Sequence, residues 1–566
     1  MFSLLHTTEA PVCIVYPAAV TNYAFDAADI LASFIYDISH IRPVLECDTN
    51  VDPGDRKIIL GETILEESSA VLGRIGYGEC IIVPLGNNLV IATRTESILP
   101  QAIHALMQSL VWLNKALCFS DQIINKPFFS LGMLKRIPLF PKGKQVHCRK
   151  SLDLCDQIVI EEADRSAYDQ YQRILTADQF EKTYENVICG NCFSRYKKQD
   201  CSVYVYYTPF NHTVRILAEP LSNAHIDAPS RSYNITASPL MTVIGGRFST
   251  VSRYMNCDSG SGNMGYVFRM DDGRFILVDG GMDSGNYAEN IYRTLTAQAP
   301  DPENIVIACW FLSHTHIDHI GAFLTVAEQY SKKIELQEIA CNFPSMTDAS
   351  VFRETWNTRR IKEHIYRYFP ATKYTKVHTG EEMHFGHVRI EILYTQDDLV
   401  RQQLSLANET LNTSSICMRV YIGGNSVILP SDCDKTANMI LVDMYGNYLK
   451  SDILQVCHHG GWGGTTAFYS VVDPELAIFS TSDELLPKYL QIQYNHDLVY
   501  DMHVQEVFNN AERCKTFPLP YHPSEKNLPP DPKTDLLYTE AKQLEALAEL
   551  ETMKNACRNL SCSNND

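Results

Sequence analysis

Histidine is scarce in this chain, 18 among 566 residues, and tryptophan is scarcer, with four. No apolar run reaches the length of a membrane-spanning helix, which excludes a helical span. Basic excess is also lacking. The net charge of −19 argues against a general nucleic-acid binder, which needs a basic face, although a local basic groove stays open. The start, MFSLLHTTEAPVC, has no basic region followed by an apolar stretch, so no signal peptide is expected. The 18 cysteines are scattered without a framework and read as reduced thiols in a cytoplasm. Cys189 and Cys192, a lone C-x-x-C near Cys201, read as incidental, since a zinc site needs a second pair. What remains is an ordinary globular composition, 45% hydrophobic and 20% charged, in a chain long enough for three or four domains.

Against that scarcity, three histidines crowd into Ser313 to Gly321, which reads SHTHIDHIG. The apolar run Ile305 to Leu312 before it has the length of a buried strand and no helical period. GAFLTVAEQY after it reads as a helix. His314, His316, Asp318 and His319 therefore belong on the short turn between strand and helix. Alternate residues of an extended segment point the same way, so His314 and His316 can bind one metal together. Asp318 and His319 can reach a second ion beside it. Imidazole and carboxylate ligands suit zinc, with iron or manganese as alternatives.

The pattern H-x-H-x-D-H resembles the signature of metallo-β-lactamase-fold hydrolases. Three further stretches follow that family's order: Asp279-Gly280-Gly281 closing a hairpin, Ser431-Asp432 after an apolar strand, and His458-His459-Gly460-Gly461 after DILQVC. The resemblance covers roughly 240 to 522 and implies an αββα sandwich. It implies that Asp279 supports the site from behind the ligands and that Asp432 bridges two ions. It implies that His458 completes the second ion's shell, with His459 as proton donor or as the ligand instead. One departure matters: no histidine lies between His387 and His458, where most two-zinc relatives carry a third ligand for the first metal. Asn412, Thr413 and Ser414 stand near that place. The spelling V-x-H-H-G after S-D, and VVDPELAIFSTS beyond it, are most similar to the hydrolase domain of bacterial DNA-uptake channel proteins and to choline-phosphate esterases. Tyr494-Asn495-His496 echoes a later histidine of that branch.

Elsewhere the chain carries no catalytic constellation. Residues 1–125 read as a small α/β domain: a strand at Val12 to Tyr16, a helix from Phe25, the strand KIILGET, the hairpin ECIIVPLGNNLVIATR, and a closing helix from Pro100 to Trp112. This order resembles the non-catalytic N-terminal domain of α-glucuronidases and hexosaminidases. Residues 126–238 read as a β-rich spacer with a hairpin at Val203–Tyr207 and Val214–Ala218. The hydrolase domain takes 239–522. Residues 523–566 read as a linker and an acidic helix, Leu536 to Met553.

The fold class expected is thus α/β, an αββα sandwich with α/β and β-rich accessory domains. The expected activity is a metal-dependent hydrolase, with one or two zinc ions and attack by a metal-bound hydroxide on a phosphodiester. Asp318 would orient the nucleophile and His459 would protonate the leaving oxygen. Hydrolysis of a lactone, thioester or other carboxyl-type bond is the alternative. A non-catalytic carbohydrate-binding or scaffold protein is the third. The substrate expected is a small molecule or head group, not duplex nucleic acid. The sequence says nothing of the oligomeric state.

Overall fold

The computed structural model describes residues 2–6, 12–18, 22–51, 56–76, 78–95, 98–113, 116–119, 124–127, 133–141, 143–150, 155–227, 234–247, 263–344, 355–399, 411–510 and 513–532. The expected acidic helix at Leu536–Met553 lies outside them. Among these residues no helix is long and apolar enough to cross a membrane.

The chain forms two compact units. The first holds 1–150, 154–184 and 194–220. Its N-terminal sheet runs Val44–Cys47, Cys13–Tyr16, Lys57–Leu60, Asn88–Thr93, Glu79–Leu85, Ile124–Pro127. Helix Asn22–Ser39 lays Ala28, Leu31 and Ile35 on that sheet's core. The closing helix is shorter than its apolar pattern implies. It spans Leu99–Met107, and Leu110–Leu113 instead pairs antiparallel with Ala116–Phe119. The β-rich stretch also contains a helix, Arg165–Ala177, capped by the Asp164 carboxylate on the Ala167 amide. Its hairpin joins Cys201–Thr208 to Thr213–Pro220 through Pro-Phe-Asn-His, with Val205 opposite Ile216.

The second unit is built from 185–193 and the chain from Leu221 on. Its first sheet runs Lys373–Lys376, Glu338–Cys341, Ile305–Leu312, Phe275–Asp279, Gly265–Arg269, Leu240–Val243, Lys515–Pro518. Its second runs Glu382–Phe385, Val388–Tyr394, Cys417–Ile422, Asn425–Leu429, Ile453–Gln455, Leu476–Phe479, Glu506–Asn509. The two sheets share one apolar layer, in which Phe268, Ile276 and Val278 meet Ile390, Met418, Val427 and Ile478. The outer face of the first sheet is covered by helices Tyr287–Gln298, Ile317–Tyr330 and Thr355–Tyr368, through Ile291, Phe323, Leu324 and Ile361. Helix Lys435–Tyr445 packs against the second sheet. Strand Ile305–Leu312 shows why its run is apolar throughout. It feeds both layers, Phe311 toward the second sheet and Trp310 and Leu312 toward the helices.

In each sheet the strands beside the site are parallel. Phe275–Asp279 pairs with Ile305–Leu312, Asn425–Leu429 pairs with Ile453–Gln455, and Ile453–Gln455 pairs with Leu476–Phe479. Their carboxyl ends open at one edge of the sandwich, where open α/β sheets gather their ligands.

Candidate metal centre

Each parallel strand delivers one short segment to that edge. Asp279 ends the first, Ser313 to His316 follow the second, and Ser431-Asp432, His458-His459 and Ser480 follow the strands of the other sheet. The helix after His316 begins earlier than expected, at Ile317, with His316 at its cap in extended conformation. Asp318 and His319 are thus in its first turn and not on the loop before it. The amides of His319 and Ile320 both bond the His316 carbonyl, at 3.1 Å. A carboxylate there is stabilised by the helix N-terminus.

The backbone is strained at this edge. Asp279, Ser431, His458 and His459 adopt φ of 51°, 53°, 47° and 58°. Such left-handed non-glycine residues cost about 1–3 kcal/mol each and persist only where the surroundings hold them. Here they are held. The Asp279 carboxylate accepts the Ser313 amide at 2.8 Å and the Ser313 hydroxyl at 2.7 Å. Gln455 accepts the Ser431 amide at 2.7 Å and donates to the Ser431 carbonyl at 3.1 Å. The His458 amide bonds that same carbonyl at 3.0 Å, which stitches the two segments together.

Three imidazoles are oriented in one way. Nδ1 of His314 lies 3.1 Å from the Ser313 hydroxyl, Nδ1 of His319 lies 2.8 Å from Asp279, and Nδ1 of His459 lies 3.1 Å from the Ser480 carbonyl. An engaged Nδ1 leaves Nε2 to carry a lone pair toward the centre. Ser313, Ser480 and Gln455 were not recognised in the sequence. Ser313 had a readable signal, since it ends its strand beside ligand residues as Ser431 does, and the two hydroxyls meet at 2.7 Å.

The candidate ligand atoms converge on Asp432. His319 Nε2 is 3.2 Å and His314 Nε2 is 3.8 Å from Oδ2. His459 Nε2 is 3.5 Å from Oδ1, 3.3 Å from Asp318 Oδ2 and 3.3 Å from His319 Nε2. His316 faces His314, Nδ1 to Nε2, at 3.0 Å. His458 approaches Oδ2 from the more open side, at 3.6 Å, with Asn412 at 3.3 Å from its Nε2. So every residue expected from the sequence is gathered here except His496, which bonds Asp531.

Electrostatics show what the cluster lacks. Burial and the neighbouring His319 and His316 push His314 well below the ordinary imidazole range. Burial takes His458 down to about 4. Burial also disfavours a charged His319, yet Asp432 and Asp279 hold it well above that range. His459, likewise buried, is raised by Asp432 and Asp318 to about 9. Burial works against the Asp432 carboxylate, but His319 and His459 keep it well below its usual value. In the protein alone, protons on two rings balance the carboxylates. Even so, Asp432 Oδ1 is buried and accepts no hydrogen bond. A buried carboxylate oxygen without a hydrogen bond, ringed by imidazole nitrogens and a second carboxylate, fits divalent cations of the zinc, iron or manganese kind, which would take the place of those protons.

Residues 258–477 match the metallo-beta-lactamase superfamily. The chain carries a metallo-beta-lactamase superfamily domain. Similar solved structures include the diiron β-hydroxylase CmlA from Streptomyces venezuelae, with 11% identity over 52% of this chain and 55% of that one, TM-score 0.30. They also include unliganded yeast PDE1, 10% identical over 50% of this chain and 100% of that one, TM-score 0.32. Human tRNase Z, short form, is 13% identical over 50% and 100%, TM-score 0.26. The chain spans just over half the length of CmlA. No curated protein matches it. The domain's match begins ahead of strand Gly265–Arg269 and ends within Leu476–Phe479, so it takes in both sheets' site-bearing strands.

Proposed function

We propose that the domain is a metal-dependent hydrolase with two adjacent cation sites sharing Asp432. Asp318, His319 and His459 would hold one cation, and His314, His316 and His458 the other. Bound there, the cations supply Lewis-acid polarisation of the attacked group and a nucleophile at neutral pH. The sequence favours His458 as the ligand and leaves His459 as proton donor or as the ligand in its place. The distances favour ligand roles for both. His459 is fully buried, has Nδ1 committed to Ser480, and turns Nε2 to Asp318 and Asp432. His458 leaves the same turn on the other side of Asp432, where the first site lacks its third imidazole. Asp318 is the carboxylate with access to solvent, 14% exposed against 2% for Asp432. It can orient a nucleophile and take its proton.

Phosphodiester cleavage is the leading reaction, on a small diester or head group. The observation that carries it is the two-sided convergence on Asp432, because paired cations suit an in-line displacement with charge on both entering and leaving oxygens. A lactone or thioester remains the second reading. Its relatives keep a third imidazole at the first site, and His458 would provide one. The test has two parts. Zinc-loaded protein should hydrolyse bis(p-nitrophenyl) phosphate faster than nitrocefin or simple lactones; the reverse order would replace the first reaction by the second. Elemental analysis should find about half the metal in either His458→Ala or His459→Ala, by the sharing of ligands set out above. Full metal in His458→Ala would return that ring to a non-ligand role.

A further inference from the structure

The loop that follows the two histidines, Gly460-Gly461-Trp462-Gly463-Gly464, has a single side chain, and the fold spends unusual care on holding it. Gly460 and Gly463 take φ of 92° and 91°. A Cβ on Gly460 would fall 2.6 Å from the Phe479 ring, and one on Gly463 would fall 2.6 Å from the Cys433 carbonyl. The loop carbonyls are also bound. Asn495 donates to Gly460 at 2.6 Å and Asn438 to Gly463 at 2.8 Å. Tyr494 reaches the Gly461 carbonyl at 3.4 Å. A loop this rich in glycine is ordinarily loose; here packing on both flanks and bonds from two helices fix it. The residue thereby presented is partly exposed, and its ring centroid lies 6.5 Å from that of His458. His458 in turn lies 3.6 Å from Asp432. An indole is thus held at the rim of the metal centre, on the side where His458 is 22% exposed.

We infer that Trp462 is a specificity-determining residue whose ring face receives a ring-bearing group of the substrate, next to the bond that the centre attacks. The inference rests on the hydrolase reading above and names its substrate class: an ester whose alcohol or acyl portion carries a flat ring. A rim tryptophan offers a broad apolar π-face with one N–H at its edge, which stacks on aromatic or base rings and on the apolar face of a sugar. The fixed loop matters because a preorganised platform loses little freedom when the ring docks.

The experiment uses zinc-loaded full-length protein and two inhibitors that differ only in the ring, phenylphosphonate and methylphosphonate. Wild type should bind phenylphosphonate more tightly, by about 5- to 100-fold if the stack has its ordinary strength. Trp462→Ala should bring the two inhibition constants together, Trp462→Phe should keep most of the gap, and metal content should stay that of wild type. Uridine 5′-monophosphate and glucose 1-phosphate, run as further inhibitors, separate a planar base from a sugar face. A gap of the same size in Trp462→Ala, or no gap in wild type, overturns the inference. Should the protein prove to lack phosphodiesterase activity, the same comparison is made by the quenching of tryptophan fluorescence on phenylphosphonate addition. Quenching lost in Trp462→Phe would then uphold the ring site while the reaction assigned to the centre fails.

Discussion

Two buried charge clusters stand in the same unit, and they are built in opposite ways. Around Glu391 every charge has its partner. Arg419, 2% exposed, donates to Glu391 at 2.9 and 2.6 Å, and Arg389 and the Tyr448 hydroxyl donate to the other oxygen at 2.8 and 2.6 Å. Arg419 also lies over the rings of Tyr421 and Tyr448, at 5.1 and 4.5 Å. Around Asp432 imidazoles crowd nitrogen against nitrogen at 3.0 and 3.3 Å, and one carboxylate oxygen accepts nothing. The first cluster is complete as protein. The second leaves a buried carboxylate oxygen without a hydrogen bond, a place that the divalent cations proposed above would fill. A satisfied network holds a fold together, whereas an unsatisfied one that the fold still holds in place marks where a ligand acts.

Breaking each cluster should separate these roles. The largest effect belongs to Asp432→Ala. It removes the carboxylate that the two proposed sets of ligands would share, and elemental analysis should show most of the metal gone while the thermal transition of the metal-free protein stays or rises. Asp279→Asn disturbs the His319 ring and the Ser313 amide and hydroxyl that this carboxylate holds, and should weaken metal binding by about 10- to 100-fold. Metal retained in full by Asp432→Ala would end the shared-ligand reading.

Glu391→Ala should do the opposite. It leaves Arg419 buried without its carboxylate and should cost about 3–5 kcal/mol in urea unfolding, with metal stoichiometry as in wild type. The double change Glu391→Leu with Arg419→Met should recover much of that loss, since the penalty lies in the orphaned charge. Metal lost along with stability would mean that the two clusters are not separable.

The smallest effect sharpens the contrast from a third cluster, where protons alone decide. His225, buried, donates to Glu338 at 3.0 Å and to Asp227 at 3.1 Å. Burial opposes its charge, but the bonds to Asp227 and Glu338 raise its pKa above the ordinary value. Its contribution is therefore fully present below pH about 6.5 and is lost as pH rises through the folded pKa. The stability difference between wild type and His225→Gln should be about 1 kcal/mol or less near pH 6, and should shrink toward pH 9. A difference that grows over that range would contradict the pairing. At the acid end Asp227, which burial would raise but His225 and His384 lower to about 2, keeps its contribution above pH about 3.8 and loses it as pH falls toward 2.

Much of the site was legible because its candidate ligands come in short runs. His314, His316, Asp318 and His319 lie within one turn of chain, and strand alternation plus a following helix fixes which of them share a side. Asp279, Asp432 and the histidine doublet each sit at the end of an apolar strand, so chain order alone lined them up. Secondary structure failed where one pattern serves two states. The apolar stretch after Pro100 continues past Met107, but a hairpin pairing with Ala116–Phe119 overrides the helix there.

The sequence by itself determined most of the strands, the family pattern and nearly all of the candidate ligands that the fold gathers, since those depend on local period and on residue type. Only the tertiary structure decided how the doublet divides. His458 and His459 are chain neighbours, and nothing in their spacing tells which way each ring turns. Two left-handed residues in succession send one ring to Asp318 and the other to the open side of Asp432, and that turn is held by Gln455, Ser431 and the Ser480 carbonyl, through bonds that span 21 or more positions of chain. The same holds for Trp462: its type is written in the chain, but its place at the rim comes from packing by Phe479, Asn438 and Asn495, which no local pattern encodes.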